Sequence, residues 1–498
     1  MNWKSKIASP FAQLTARNID RASRNAVNLQ FKIFKNLIAV GTNTLFGKDH
    51  NFSAIHSHAD FVKRVPLRDY EQLKPYVERI KNGEANILWR GKPAYFAKTS
   101  GTTSGVKYIP ISKESIPNHF GSARNALFNY YAQTGNGAWL DNKIIFLSGS
   151  PELDHIHGIP TGRLSGISNH MVPAWLKRDQ LPSYKTNCIE DWETKLDAIV
   201  QETLSQRMAL ISGIPPWVQM YYERLLAVSG KKTILDIFPA FSVFVYGGVN
   251  YAPYRATLEK LVGAAIDSVE VYPASEGFIA FQTDRNDPSL WLNINSGIFF
   301  EFVPATEIFN AQPTRLTLND VETNVNYAII INNNAGLWGY NIGDTVMFTS
   351  IKPYKIIVSG RIKHFISAFG EHVISKEVEA AMTETVKKHS ASIAEFHVAP
   401  QVVPLDGGAA YHEWFIEFEN APGDLKIFAA DLDAAMVRQN IYYEDLIAGK
   451  ILRPLIITPV PKNTFIEYMR KQGKLGGQNK VPRLANDRTL ASSLTKLN

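Results

Sequence analysis

Residues 97–112 read "AKTSGTTSGVKYIPIS". Thr99, Ser100, Gly101, Thr102, Thr103, Ser104 and Gly105 are followed by Lys107 and an extended apolar run. Hydroxyl and backbone N–H donors with little side-chain bulk can surround phosphate oxygens, and a nearby lysine adds positive charge. The same composition also suits a plain turn between strands, so the loop takes its meaning from what accompanies it. It is not a Walker loop, which needs four residues between its first glycine and Gly-Lys.

Four further stretches carry chemistry. "YPASEG" (272–277) leaves a predicted strand, which puts Ser275 and Glu276 at its carboxyl end. "GYNIGDTV" (339–346) places Asp344 directly after a glycine in a strand turn. "GRIKHFISAFGEHVISKEVEAAM" (360–382) opens with Gly360 and Arg361, and "KLGGQNKVPR" (474–483) is a basic, glycine-bearing turn. The pairs His56/His58 and His155/His157 lack acidic or cysteine partners at ligand spacing, which argues against a transition-metal site. No Gly-x-Ser-x-Gly elbow supports a serine hydrolase.

The elements that must position these residues are legible in the periodicity. Helical patterning covers 10–82. Short apolar runs at 143–150, 208–216, 241–248 and 268–275 then alternate with helical patterns at 191–204, 217–230 and 251–262. Asp191 is an expected N-cap and Gly230 an expected helix stop. The alternation predicts a largely parallel sheet covered by helices, with ligands beyond the carboxyl ends of its strands. From about 290 strands dominate, at 297–304, 326–350 and 354–361, with a hairpin-like turn at Asn332–Asn334 and Gly336. Beyond Arg361 a helix at 375–388, strands near 394–403 and 412–418, and a helix at 424–439 form a small α+β section. The expected class is α/β. A large N-terminal domain (1–360) has mainly parallel sheets and a β-rich subdomain, and a small mobile α+β lid (361–498) follows.

The chain of 498 residues exceeds one core, and its 45% hydrophobic and 20% charged content is that of an ordinary globular protein. No apolar run reaches the roughly 20 residues of a membrane span. A single cysteine, Cys188, rules out an internal disulfide and fits a reducing, cytoplasmic setting. The net charge of +7 is dispersed, with no basic module that suggests nucleic acid. Its clearest local excess is N-terminal: Lys4, Lys6, Arg17, Arg21, Arg24, Lys32 and Lys35 against Asp20. Phe11, Leu14, Ile19, Ala22 and Val27 are interleaved, and Phe31, Ile33, Phe34 and Leu37 continue the apolar face. A helix docked by that face on its own domain is expected, ahead of a transit peptide or a membrane-surface helix.

The order of the motifs resembles the adenylate-forming superfamily of acyl-CoA synthetases, peptide-synthetase adenylation domains and luciferases. The 360–379 segment is similar to that superfamily's hinge and lid entry. The chain more closely resembles the Gretchen Hagen-type (auxin-responsive promoter family) acyl acid–amido synthetases. Thr99–Pro110, "YPASE", "GLWGYNIGD" and Gln478–Arg483 match that family's stretches, from about 10 to 485. It departs from them at Gly339 and Asn341, where most relatives have arginines, and at Glu371–Val373.

The resemblance implies an ATP- and Mg2+-dependent ligase that adenylates a small carboxylic acid and passes the acyl group to an amino acid amine. Thr99, Ser100, Gly101, Thr102, Thr103 and Ser104 would hold the β- and γ-phosphates, and Ser275 would donate to the α-phosphate. Glu276 would hold magnesium. Asp344 and Arg361 would bind ribose. Gly247 and Gly248 would leave room for adenine, with Tyr272 stacking. Lys480 would meet the charge gathering at the α-phosphate, and Lys363 would sit at the hinge. No nucleic-acid or membrane partner is expected. Two other readings share these residues: the same adenylation with coenzyme A as acceptor, and a nucleotide-binding protein without turnover.

Overall fold

The computed structural model describes residues 3–100, 106–248, 251–362, 365–366, 373–404, 406, 408–448, 451–475 and 480–496. The chain divides into two compact units, 1–213 with 235–248 and 266–357, and 214–234 with 249–265 and 358–498. The second unit thus takes in two central segments besides the C-terminal one.

The first unit is organised by an eleven-stranded mixed sheet. Strands Asp267–Ala274, Val243–Gly247, Met208–Ser212 and Lys143–Phe146 lie side by side and parallel, as the alternating pattern predicted. The other half is antiparallel, because Gly277–Gln282 turns straight back on Asp267–Ala274 and the strands at 298–304, 326–333 and 340–351 follow as a meander. Predicted boundaries held where a cap specifies them. Asp191 accepts the Thr194 N–H at 2.8 Å ahead of helix Trp192–Thr203.

The N-terminal helix, Trp3–Arg24, is docked, but by only part of the face its sequence suggested: Ile19 and Ala22 pack on the core, and Phe11 and Leu14 do not. Ala8, Ala12 and Ala22 are buried while Phe11 and Leu14 are 60% and 54% exposed. Small residues let a helix backbone approach its neighbour closely. The Tyr131 hydroxyl donates to the Ser5 carbonyl at 2.8 Å, and the Trp291 Nε1–H donates to Ser23 Oγ at 2.8 Å. The following helix, Ala26–Gly41, docks as expected: Phe34, Leu37 and Ile38 are buried, and Phe34 packs 4.9 Å from Phe299.

In the second unit, strands Ser392–Gln401, Tyr411–Asn420 and Ile456–Val460 form a sheet. Helices Ser375–Lys388 and Leu425–Gln439 share its core through Val378, Met382, Phe428 and Leu432. Asp424 caps the second helix, accepting from Lys426 and Ile427.

Candidate active site

The antiparallel return of Gly277–Gln282 leaves only Ser275 and Glu276 between paired Ala274 and Gly277, so both residues form the tip of a hairpin. Both are half-buried, and the Ser275 hydroxyl has no partner among the described residues. Asp344 lies within strand Tyr340–Ile351 rather than in a turn after it. Ile330 pairs with Asn341 and Ala328 with Thr345, so three residues on one strand oppose one on the other. Gly343 takes φ +87°, and Asn341 Oδ1 accepts its N–H at 2.9 Å. The bulge bends the strand locally, and Asp344 within it is buried.

The two motifs are cross-linked. Tyr272 donates its hydroxyl to Asp344 Oδ2 at 2.5 Å. Four residues on, the Tyr340 hydroxyl approaches Glu276 Oε1 at 3.5 Å, a long contact that aims the phenol at the carboxylate. Burial and then the Glu276 charge push the Tyr340 hydroxyl well up, so it stays a neutral donor. Tyr70 is a further neighbour of Tyr340, and its hydroxyl accepts the Tyr108 N–H at 2.9 Å. Tyr108 follows Lys107, which pairs with Thr99 across the hairpin that brackets the hydroxyl-rich loop. Residues 101–105 lie outside the described residues, as do Lys363 and the Ser100 side chain. Thr99 is half-buried, and its hydroxyl has no partner among the described residues.

Of the three asparagines read from sequence as a turn, Asn334 does open the turn that runs through Gly336, while Asn332 and Asn333 end the strand before it and Asn333 braces the hairpin tip. Asn332 and Asn333 are buried strand residues. Asn333 Nδ2 donates to the Glu276 carbonyl at 2.8 Å, and its Oδ1 accepts from Ala335 and Leu337, both at 3.0 Å. Asn332 Oδ1 accepts the Gly339 N–H at 2.6 Å, and its Nδ2 donates to Glu301 Oε2 at 2.8 Å. Asn334 Nδ2 donates to the Glu114 carbonyl at 2.8 Å. Gly339 has φ +55°, and a Cβ there would lie 2.7 Å from the Pro66 carbonyl, so no larger residue fits this backbone. The sequence signal was the run of amides itself, since buried amides must be paired.

Glu301 is fully buried behind this scaffold. Arg315 bonds both its oxygens at 2.9 and 2.7 Å, and His58 Nε2 lies 2.7 Å from Oε1. Burial alone would raise its carboxyl, but Arg315 and His58 overcome that and hold it at about 2. His58 is thereby accounted for without a metal.

Gly247 ends its strand opposite Val271, and a Cβ there would stand 2.2 Å from the Val271 carbonyl oxygen. Gly248, exposed, has φ +80°. In the second unit Arg361 is exposed at the end of strand Tyr354–Arg361, and Lys480 is exposed. The segment carrying Lys480 is anchored three residues later by buried Arg483. That guanidinium bonds the Tyr254 hydroxyl at 2.6 Å and Glu379 at 3.3 Å, and pairs with Glu395.

Family models for the GH3 family N-terminal, central and C-terminal domains match residues 15–180, 291–361 and 376–489, in that order along the chain. The chain belongs to the GH3 family. It is 22% identical to the indole-3-acetic acid-amido synthetase GH3.3 of Arabidopsis thaliana, over 94% of this chain and 91% of that protein. Its fold is similar to that of the AtGH3.15 acyl acid amido synthetase in complex with 2,4-DB, with a TM-score of 0.78, 16% identity, and coverage of 97% and 96% of the two chains. A 2-hydroxyisobutyryl-CoA ligase shares the fold more distantly, with a TM-score of 0.62, 12% identity, and coverage of 94% and 91%.

Proposed function

We propose that this GH3 protein is an ATP-dependent acyl acid–amido synthetase that adenylates a small carboxylic acid and transfers the acyl group to an amino acid. The observation that carries the reading is the double cross-link of Tyr272 to Asp344 and of Tyr340 to Glu276, which holds "YPASE" and "YNIGD" as one constellation. The names of the family's relatives support the amide product over a thioester.

A carboxylate resists attack by an amine because oxide is a poor leaving group. In the first step an oxygen of the acid attacks the α-phosphorus of ATP and the bond to the β-phosphate breaks, releasing pyrophosphate. In the second the neutral amine attacks the acyl carbon, the bond to phosphate breaks, AMP leaves with its electron pair, and the nitrogen gives up one proton to water to become the amide. Free α-amino groups have pKa near ~8, so the neutral form is accessible at physiological pH.

We assign each residue a part consistent with its setting. The Tyr272 hydroxyl, donating to Asp344 Oδ2, fixes the carboxylate that we assign to the ribose hydroxyls. Ser275 offers its hydroxyl to the α-phosphate, and Thr99 opens the loop assigned to the β- and γ-phosphates. We assign Gly247 and Gly248 to adenine and Arg361 to the sugar. Lys480 supplies positive charge where the α-phosphate accumulates negative charge.

A magnesium site fits the donor set. Glu276 brings one hard carboxylate at a hairpin tip, and no group of three or more acidic, His or Cys residues forms a cage among the described residues. Mg2+ takes one or two carboxylates together with phosphate oxygens and water. The ion supplies screening of the triphosphate.

Pyrophosphate release with ATP, Mg2+ and a panel of acids, with and without mixed amino acids, tests the proposal. Acid-dependent release should fall by about 10²–10³ in Lys480→Ala and also drop in Glu276→Ala, with turnover raised by an amino acid. Tight ATP binding with no release for any acid would refute it, and stimulation by coenzyme A alone would redirect it to the thioester reaction.

A further inference from the structure

The N-terminal helix carries a feature that the ligase reading leaves unused. Its alanines are turned to the protein, and the large apolar side chains Ile7, Phe11 and Leu14 are 58%, 60% and 54% exposed. Their i, i+4, i+7 spacing places them on one stripe along the helix. Lys6, Arg17 and Arg21 are exposed beside that stripe, and none has an ion-pair partner among the described residues. Arg24, at the end of the helix, pairs only with Asp20, on the surface. Single exposed apolar residues are ordinary, whereas three in register beside three uncompensated cations form a patch.

We propose that this face of helix Trp3–Arg24 lies on an anionic lipid surface, with Ile7, Phe11 and Leu14 seated at the acyl boundary and Lys6, Arg17 and Arg21 at the headgroups. Charge decides the occupant. A second copy docked here would bring cations against cations in a chain whose net charge is +7. An anionic bilayer offers apolar depth and negative charge side by side, the combination that interfacial helices use. Lying in the interface needs no spanning segment, and none of the described helices is long and apolar enough to cross a membrane. From sequence, docking on the chain's own domain ranked ahead of a membrane-surface helix because Phe31, Ile33, Phe34 and Leu37 continue the apolar face. The proposal does not depend on the reaction catalysed.

Sedimentation of the full chain with vesicles of phosphatidylcholine, with and without phosphatidylglycerol, tests it. The protein should pellet with the anionic vesicles and be released by salt. Each basic residue near an anionic surface contributes about fivefold, so Arg17→Gln/Arg21→Gln should lower partitioning by about thirtyfold. Phe11→Ser/Leu14→Ser should also lose binding, while circular dichroism and pyrophosphate release stay as in the parent, since all four residues are exposed. A parent protein that stays in the supernatant with both vesicles overturns the proposal, as does anionic binding retained by both variants. A concentration-dependent dimer that the Phe11→Ser/Leu14→Ser variant dissolves, with lipid binding unchanged, would assign the face to a second copy instead.

Discussion

Asn333→Asp is the sharpest probe of the scaffold under Glu276. The Asn333 side chain makes three hydrogen bonds, two accepted at Oδ1 from Ala335 and Leu337 and one donated to the Glu276 carbonyl. Aspartate keeps the shape and both accepted bonds. It removes the donor and sets a carboxylate oxygen against the carbonyl. A buried acceptor left unmet costs about 1–3 kcal/mol. If that cost is relieved by a shift of the hairpin tip, the fraction of molecules with Glu276 and Ser275 in place falls by about 5- to 150-fold. The assay is acid-dependent pyrophosphate release titrated with Mg2+. We expect kcat/KM to fall within that range, the Mg2+ midpoint to rise, and excess Mg2+ to restore part of the rate. A variant with unchanged kinetics and Mg2+ midpoint but a lowered melting temperature would show that the bond stabilises the strand without positioning the tip.

Two further outcomes test the frame. Glu301 has its carboxyl held near 2 against an ordinary 4.5, so it contributes stability above about pH 4.5 that is lost as pH falls toward 2. Glu301→Gln should flatten the acid limb of the stability curve in that window, by about 3 kcal/mol in urea titrations, and should destabilise at neutral pH because Arg315 is left uncompensated in the interior. Gly247→Ala forces a methyl toward the Val271 carbonyl, a backbone atom that cannot swing aside; we expect a loss of about 1–3 kcal/mol and weakened ATP binding by calorimetry, and an unperturbed variant would mean that the strands part more freely than their pairing implies.

Much of this protein is written locally. The helical and strand periods, the Asp191 cap, the Gly230 stop and the C-terminal α+β elements depend on residues within a few positions of one another, so the sequence alone determined them. The motifs to which we assign phosphate, ribose and metal stood out for the same reason, as short runs of particular residue types. What depends on distant partners was not. Asn332 and Asn333 look like turn residues until Glu276, Gly339 and Glu301 arrive from other strands to use their amides. Asp344 looked like a turn residue because Gly343 precedes it, and only pairing with strand Asn326–Asn333 made that glycine a bulge. The sequence pointed to one docking face of the N-terminal helix, with Phe11, Leu14, Ile19 and Ala22 on it. Tertiary packing chose the alanines, because close approach between helices rewards small side chains, and it left Ile7, Phe11 and Leu14 facing out.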